Sequence, residues 1–180
     1  MKKILIRKNS ITSLKTEAVV NAANEQLMQG GGVCGAIFRA AGPEKLRKAC
    51  AAYDGCPTGD AVITPGFDLC EYIIHAVGPI YLNGLNGEDR MLYSCYRNAL
   101  NLARENGIRS IAFPLISSGI YGYPAKGAWE EALKSCRDWL ERNEDYDIAI
   151  VFAIISDELC ALGEAVAAEL GIETGAFDEL

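Results

Sequence analysis

The chain has 180 residues, of which 50% are hydrophobic and 23% charged. That is enough for one domain with a sizeable core and too little for a second full domain. Seventeen basic against twenty-four acidic residues leave a net charge of −7, which argues against duplex nucleic acid, whose phosphates call for Lys and Arg. The single histidine, His75, excludes His-rich zinc sites and paired-His chemistry.

In chain order, Met1 to Arg7 begins with two lysines and a brief apolar run at Ile4 to Ile6. It lacks the apolar stretch and small-residue cleavage site of a signal peptide, and no run reaches membrane-spanning length. Ala18 to Val20 reads as a strand ending in the polar sequence Asn21-Ala22-Ala23-Asn24. Gly30-Gly31-Gly32 opens a helix over Gly35 to Ala41, and Pro43 starts another that runs to about Ala52. Asp60 to Thr64 and Tyr72 to Val77 are β-branched runs bounded by Gly and Pro, hence strands. Glu88 to Glu105 places Met91, Leu92, Cys95, Tyr96, Ala99, Leu100 and Ala103 on one helical face, with Asn106-Gly107 as its stop.

Ser110 to Ile116 reads as a strand, followed by a Gly- and Tyr-containing loop over Ser117 to Tyr123. Lys126 to Arg142 is an amphipathic helix burying Trp129, Leu133, Cys136, Trp139 and Leu140. Asp147 to Ile155 is a nearly continuous apolar strand, as expected where both sheet faces are covered. Glu158 to Leu170 is a terminal helix, and Gly171 to Leu180 reads as a frayed acidic tail. Strands alternating with helices imply an α/β domain with a largely parallel sheet, which binds ligands at the carboxyl ends of its strands. The seven cysteines are odd in number and contain no C-x-x-C pair, so reduced thiols in a cytoplasmic, monomeric protein are expected.

Two loops stand where such a fold binds. Gly30 to Gly35 runs into a helix, where glycines let backbone approach a ligand and first-turn N–H groups and the dipole favour phosphate. Ser117-Ser118-Gly119-Ile120-Tyr121-Gly122 offers hydroxyls and consecutive N–H groups of the kind that form an anion nest. Together they fit a diphosphate with no lysine. Neither loop matches a Walker A or G-x-G-x-x-G pattern, and nothing points to a metal or cofactor. A lone Gly-rich turn is more often only a turn; two such loops, each after a strand, favour binding.

Longer motifs carry more. Asn21-Ala22-Ala23-Asn24, Gly30 to Val33 with Gly35-Ala36-Ile37, and Arg39-Ala40-Ala41-Gly42-Pro43 stand in order with Thr58-Gly59-Asp60-Ala61. Ile74-His75-Ala76-Val77-Gly78-Pro79 and Phe113-Pro114-Leu115-Ile116-Ser117-Ser118-Gly119-Ile120-Tyr121-Gly122-Tyr123-Pro124 follow. From Ile4 to Leu170 the chain resembles the macro domain family, closest to the branch that hydrolyses O-acetyl-ADP-ribose and mono-ADP-ribosylated acidic side chains. The resemblance implies a three-layer α/β/α fold around a mixed, largely parallel sheet, with ADP-ribose or an ADP-ribosylated protein as partner. It gives Asn24 a hydrogen bond to the distal ribose and curls the backbone of Gly31, Gly32, Val33 and Cys34 around that ribose and a phosphate. Ala22 and Ser117 join the lining. Ser118, Gly119, Ile120 and Tyr121 donate N–H groups to the diphosphate, and Tyr121 also walls the ribose.

Three positions depart from the family pattern. The hydrolases carry an aspartate after Gly-Gly-Gly-Val, where this chain has Cys34. A carboxylate anchors and activates water well at neutral pH, and a protonated thiol does so poorly. Cys34 stays open as catalytic residue or small filler, and so does the choice between hydrolase and non-catalytic reader. At the adenine end, next to Ile11, Ser10 stands where the family has an aspartate acceptor. Ser156, or a residue beside it, stands where an aromatic ring stacks on the base. Each change should weaken adenine selectivity by ~1–3 kcal/mol.

Overall fold

The computed structural model describes residues 3–175. Its strands are β1 Lys3–Lys8, β2 Ala18–Ala23, β3 Ala61–Pro65, β4 Tyr72–Val77, β5 Ser110–Phe113 and β6 Ala149–Ile154. Its helices are α1 Gly32–Ala41, α2 Pro43–Ala51, α3 Glu88–Glu105, α4 Ala125–Arg142 and α5 Asp157–Glu169. One sheet takes the order β1-β6-β5-β2-β4-β3. Every neighbouring pair is parallel except β3 with β4, which run antiparallel in register Ile63 to Ile74.

Alternation along the strands builds two cores. Val20, Ile74, Ile111 and Phe113 join Leu92, Tyr96, Trp129 and Val166 from α3, α4 and α5. Their chain neighbours Val19, Ile73 and Ala112 join Ile37, Phe38 and Leu46 from α1 and α2. Successive side chains of a strand point to opposite faces, so two separate helical layers cover the sheet, giving three layers in all. The aromatic contacts Tyr96–Phe113 and Trp129–Phe152, with centroids 5.0 and 5.2 Å apart, tie α3 and α4 to the sheet. Gly163 in α5 is required by this packing: a Cβ there would stand 2.7 Å from the Trp129 ring.

Most expected boundaries hold within a residue or two, and the exceptions concern the ligand-facing ends. β2 continues through Asn21, Ala22 and Ala23, pairing with His75, Ala76 and Val77, where the polar sequence had suggested a loop. Helix α1 begins at Gly32 rather than Gly35, so Cys34 sits in its first turn. β5 stops at Phe113 because Pro114 has no N–H to give the ladder. At the other terminus the first half of the expected tail is tied down: Gly175 N–H donates to Ile4 O at 2.9 Å and Thr174 Oγ1 to Glu164 at 2.7 Å. Residues 176–180 lie outside the described residues. Among the described residues no helix is long and apolar enough to cross a membrane.

Candidate functional site

A cleft of about 570 Å³ opens at the carboxyl ends of β1, β2, β5 and β6. Its size is that of a nucleotide-scale pocket. Every site residue expected from the sequence lines it: Ser10, Ile11, Ala22, Asn24, Gly31, Gly32, Val33, Cys34, Ser117, Ser118, Gly119, Ile120, Tyr121 and Ser156. No Asp, Glu, Lys, Arg or His is among the described residues of the lining. An anion here would be met by backbone N–H groups and neutral side-chain donors such as Asn24 and Tyr121.

One wall is the start of α1. Gly31 caps the helix in an extended conformation with no side-chain cap, so the first-turn N–H groups have no side-chain partner and face the cleft's glycine-lined wall. Gly32 has φ +56°, a left-handed turn that glycine takes without strain. The Cys34 thiol lies against the preceding loop: Gly30 N–H donates to Sγ at 3.4 Å, and Sγ stands 3.8 Å from Met28 O. With 7% exposure it joins the apolar layer under α1 and α2. Asn24 closes the same loop, its Oδ1 accepting from Met28 N–H and its Nδ2 donating to Met28 O, both at 3.0 Å. An amide has two donors and two lone pairs, so one of each is left for a ribose.

The opposite wall is the loop after β5. Ser118 N–H is engaged with Leu115 O at 3.3 Å, while Gly122 and Tyr123 N–H groups close turns onto Gly119 O and Ser117 O. Among the described residues this leaves the N–H groups of Gly119, Ile120 and Tyr121 with no backbone acceptor, a run of three consecutive donors. The Ser118 N–H, which the resemblance assigns to the diphosphate, here closes a turn. Ser117 sits at φ +67°, unusual for a residue with a Cβ, and is held there by its hydroxyl on Pro79 O at 2.8 Å. Gly78 makes room for it, since a Cβ would stand 2.3 Å from Ser117 Oγ. The sequence reading missed Gly78; the Gly-Pro punctuation after β4 was its only signal. From beneath, the buried Tyr96 hydroxyl donates to Pro114 O at 3.3 Å and accepts from Ile116 N–H at 3.0 Å. Burial pushes that phenol well above its usual range. Tyr121 is also pushed up, by partial burial first and then by the nearby Glu25 and Cys34, so at neutral pH it is a hydroxyl donor.

At the β1–β6 end, Ser10 Oγ and Thr12 Oγ1 stand 3.0 Å apart. Ser156 lines the cleft, but its hydroxyl caps α5 by accepting from Leu159 N–H at 3.2 Å. Ile155, 76% exposed, is also in the lining and presents an apolar face at this end. His75, by contrast, is fully buried and outside the cleft lining, and its ring nitrogens face Asn21, Thr64 and Cys50 rather than Cys34. Among the described residues no cluster of three His, Cys, Asp or Glu is arranged to hold a metal.

The chain is a three-layer α/β/α domain whose cleft is flanked by the N-terminus of a helix and a run of loop N–H groups, the donor arrangement that suits a diphosphate. The Macro domain family model matches residues 20–136, and the chain belongs to that family. It is 47% identical over 145 residues to an O-acetyl-ADP-ribose deacetylase of Escherichia fergusonii, spanning 78% of this chain and 82% of the relative. It is 47% identical over 156 residues to the human ADP-ribose glycohydrolase MACROD2, covering 84% of this chain and 36% of that longer protein. The Oceanobacillus iheyensis macrodomain with ADP superposes with a TM-score of 0.86 at 39% identity, over 92% of this chain and 90% of that one.

Proposed function

We propose that this chain binds ADP-ribose in the cleft and hydrolyses an ester on its distal ribose, as in O-acetyl-ADP-ribose or a mono-ADP-ribosylated acidic side chain. The observation that carries the reading is the placement of two backbone donor arrays either side of one cleft with Asn24 at its end. The diphosphate takes the N–H groups of α1 and of Gly119 to Tyr121, and Asn24 orients the ribose. Relatives at 47% identity named as a deacetylase and a glycohydrolase support the hydrolytic side of it. Water adds to the ester carbonyl; the acyl–oxygen bond breaks, and the ribose oxygen leaves with a proton to give ADP-ribose and the acid. Among the described residues no charged side chain lines the cleft to take that proton, so a phosphate oxygen of the substrate itself serves as the base.

The same lack of a carboxylate favours a second reading, a reader that holds ADP-ribosylated protein without turnover. Incubation with O-acetyl-ADP-ribose and with a protein mono-ADP-ribosylated on glutamate, beside a relative retaining the aspartate, separates the two. Release of acetate or free ADP-ribose above the no-enzyme rate is expected. Binding by calorimetry with no release on either substrate would leave the reader.

A further inference from the structure

The base end of the cleft is built differently from its diphosphate walls. It lies beyond β1 and β6, and the sheet order sets β5 between β6 and β2, the strand leading to Asn24. Its side chains among the described residues are aliphatic or hydroxyl-bearing, with neither a charge nor a ring. The nearest charges, Lys8 and Asp157, are paired with each other at 2.9 Å. Most polar groups there are already engaged. Ser156 Oγ holds Leu159 N–H, and Ile154 O accepts from Asn9 N–H at 3.1 Å. Among the side-chain polar groups there, the Ser10–Thr12 hydroxyl pair stays open, and either of its oxygens can be the donor.

That pair is reversible in a way a carboxylate is not. With Ser10 donating to Thr12, the Ser10 oxygen is left as an acceptor for an exocyclic amino group. With Thr12 donating to Ser10, the Ser10 O–H is free to donate to a carbonyl. A carboxylate at this position would accept only. Resting on the ADP-ribose reading above, we propose that this end takes 6-amino and 6-oxo purines alike. The cleft then selects the diphosphoribose and leaves the choice between adenine and hypoxanthine open.

Calorimetric titration with ADP-ribose and with inosine diphosphate ribose tests this on the unaltered chain. Dissociation constants within about threefold of each other are expected. Inosine diphosphate ribose weaker by about tenfold or more, with ADP-ribose bound, would overturn the proposal and leave the ADP-ribose reading standing. No heat from either at millimolar ligand overturns that reading and this one with it. The variant Ser10→Asp, at a half-buried position, is expected to shift the ratio about tenfold toward ADP-ribose, because the acceptor-only group repels a 6-oxo oxygen. An unchanged ratio in a variant with the unaltered circular dichroism spectrum would remove Ser10 from the role.

Discussion

Cys34 and Asn24 both spend their polar atoms on the loop that leads into α1, Cys34 on Gly30 N–H and Met28 O, Asn24 on both backbone groups of Met28. For Cys34 this contact, with its low exposure, makes the thiol a staple of the loop and a weak water anchor. Restoring a carboxylate by Cys34→Asp is therefore expected to raise kcat on O-acetyl-ADP-ribose by roughly tenfold, below the ~10²–10⁴ of a fully placed general base. Cys34→Ser is expected to leave kcat within about twofold, since a hydroxyl can make the same loop contacts; a collapse of turnover in that variant would instead mark the thiol as a nucleophile. Asn24 closes the loop and, on the proposed reading, also holds the ribose, so Asn24→Ala would remove both. ADP-ribose affinity is expected to fall by about tenfold or more in calorimetry, each lost hydrogen bond being worth ~0.5–1.5 kcal/mol. Unaltered affinity and turnover in Asn24→Ala would contradict its placement on the ribose.

Between β4 and α3, the segment after Pro79 is organised by one buried carboxylate. Glu88, 2% exposed, accepts at Oε2 from the N–H groups of Leu82, Asn83 and Gly84 at 3.0, 3.2 and 2.9 Å, and at Oε1 from Asn86 at 2.7 Å. Burial alone would raise its pKa, but the N–H donors of Gly84, Leu82 and Asn86 outweigh it and hold the carboxyl at about 2. A depressed folded pKa gives stability that is present above the unfolded value of 4.5 and is lost as pH falls toward about 2. Glu88→Gln is thus expected to lower the urea midpoint at pH 7, with the gap to the unaltered chain closing by pH 2. A gap of constant size would show that the charge is not what orders the segment. The segment also braces the site, since Tyr81 N–H donates to Tyr121 O at 2.8 Å. Sequence periodicity showed α3 to the residue but not this loop, because turns nucleated by a side chain at a distance leave no period. The same physics explains the errors near the cleft. Asn21-Ala22-Ala23 looks like a loop by composition and is a strand by pairing with β4, while the extra turn of α1 is Gly32-Val33-Cys34, residue types with low helix propensity. Long motifs picked out residues that the fold gathers around one cleft, while the use of the Ser156 hydroxyl as the α5 cap left no mark in the sequence motif.

At the scale of the whole molecule, burial among the described residues disfavours charge on several interior groups, while Glu88 keeps its charge through its N–H donors. Burial pushes the thiols of Cys50, Cys56 and Cys70 up to about 11 and Cys95 to about 12, so they pack as small apolar groups in an acidic chain whose charge stays outside. His75 is the consequential case. Fully buried on β4, its Nδ1 faces Asn21 Nδ2 at 3.1 Å and its Nε2 faces Thr64 Oγ1 at 3.0 Å. Thr64 Oγ1 donates to Pro65 O at 3.0 Å, so it accepts from Nε2–H, and Nδ1 is the bare nitrogen that takes the Asn21 amide hydrogen. A second proton would have to enter at Nδ1, against a donor and away from water, and burial brings the imidazole down to about 4 from 6.5. In the unfolded chain the ring protonates first, so stability is full above pH 6.5, declines as pH falls toward about 4, and takes no further loss from this group below that. The drop is about 3 kcal/mol at 1.36 kcal/mol per unit, a large part of a domain's ~5–15 kcal/mol. Urea unfolding at pH 7 and at pH 4, with His75→Asn as the variant lacking the titration, checks the magnitude. Because the chain has one histidine, its imidazole resonances can be followed without ambiguity, and a folded-state midpoint near 4 is expected. A midpoint above 6 would show that water or a flipped Asn21 reaches Nδ1, and the site under β2 and β4 would then be looser than its packing requires.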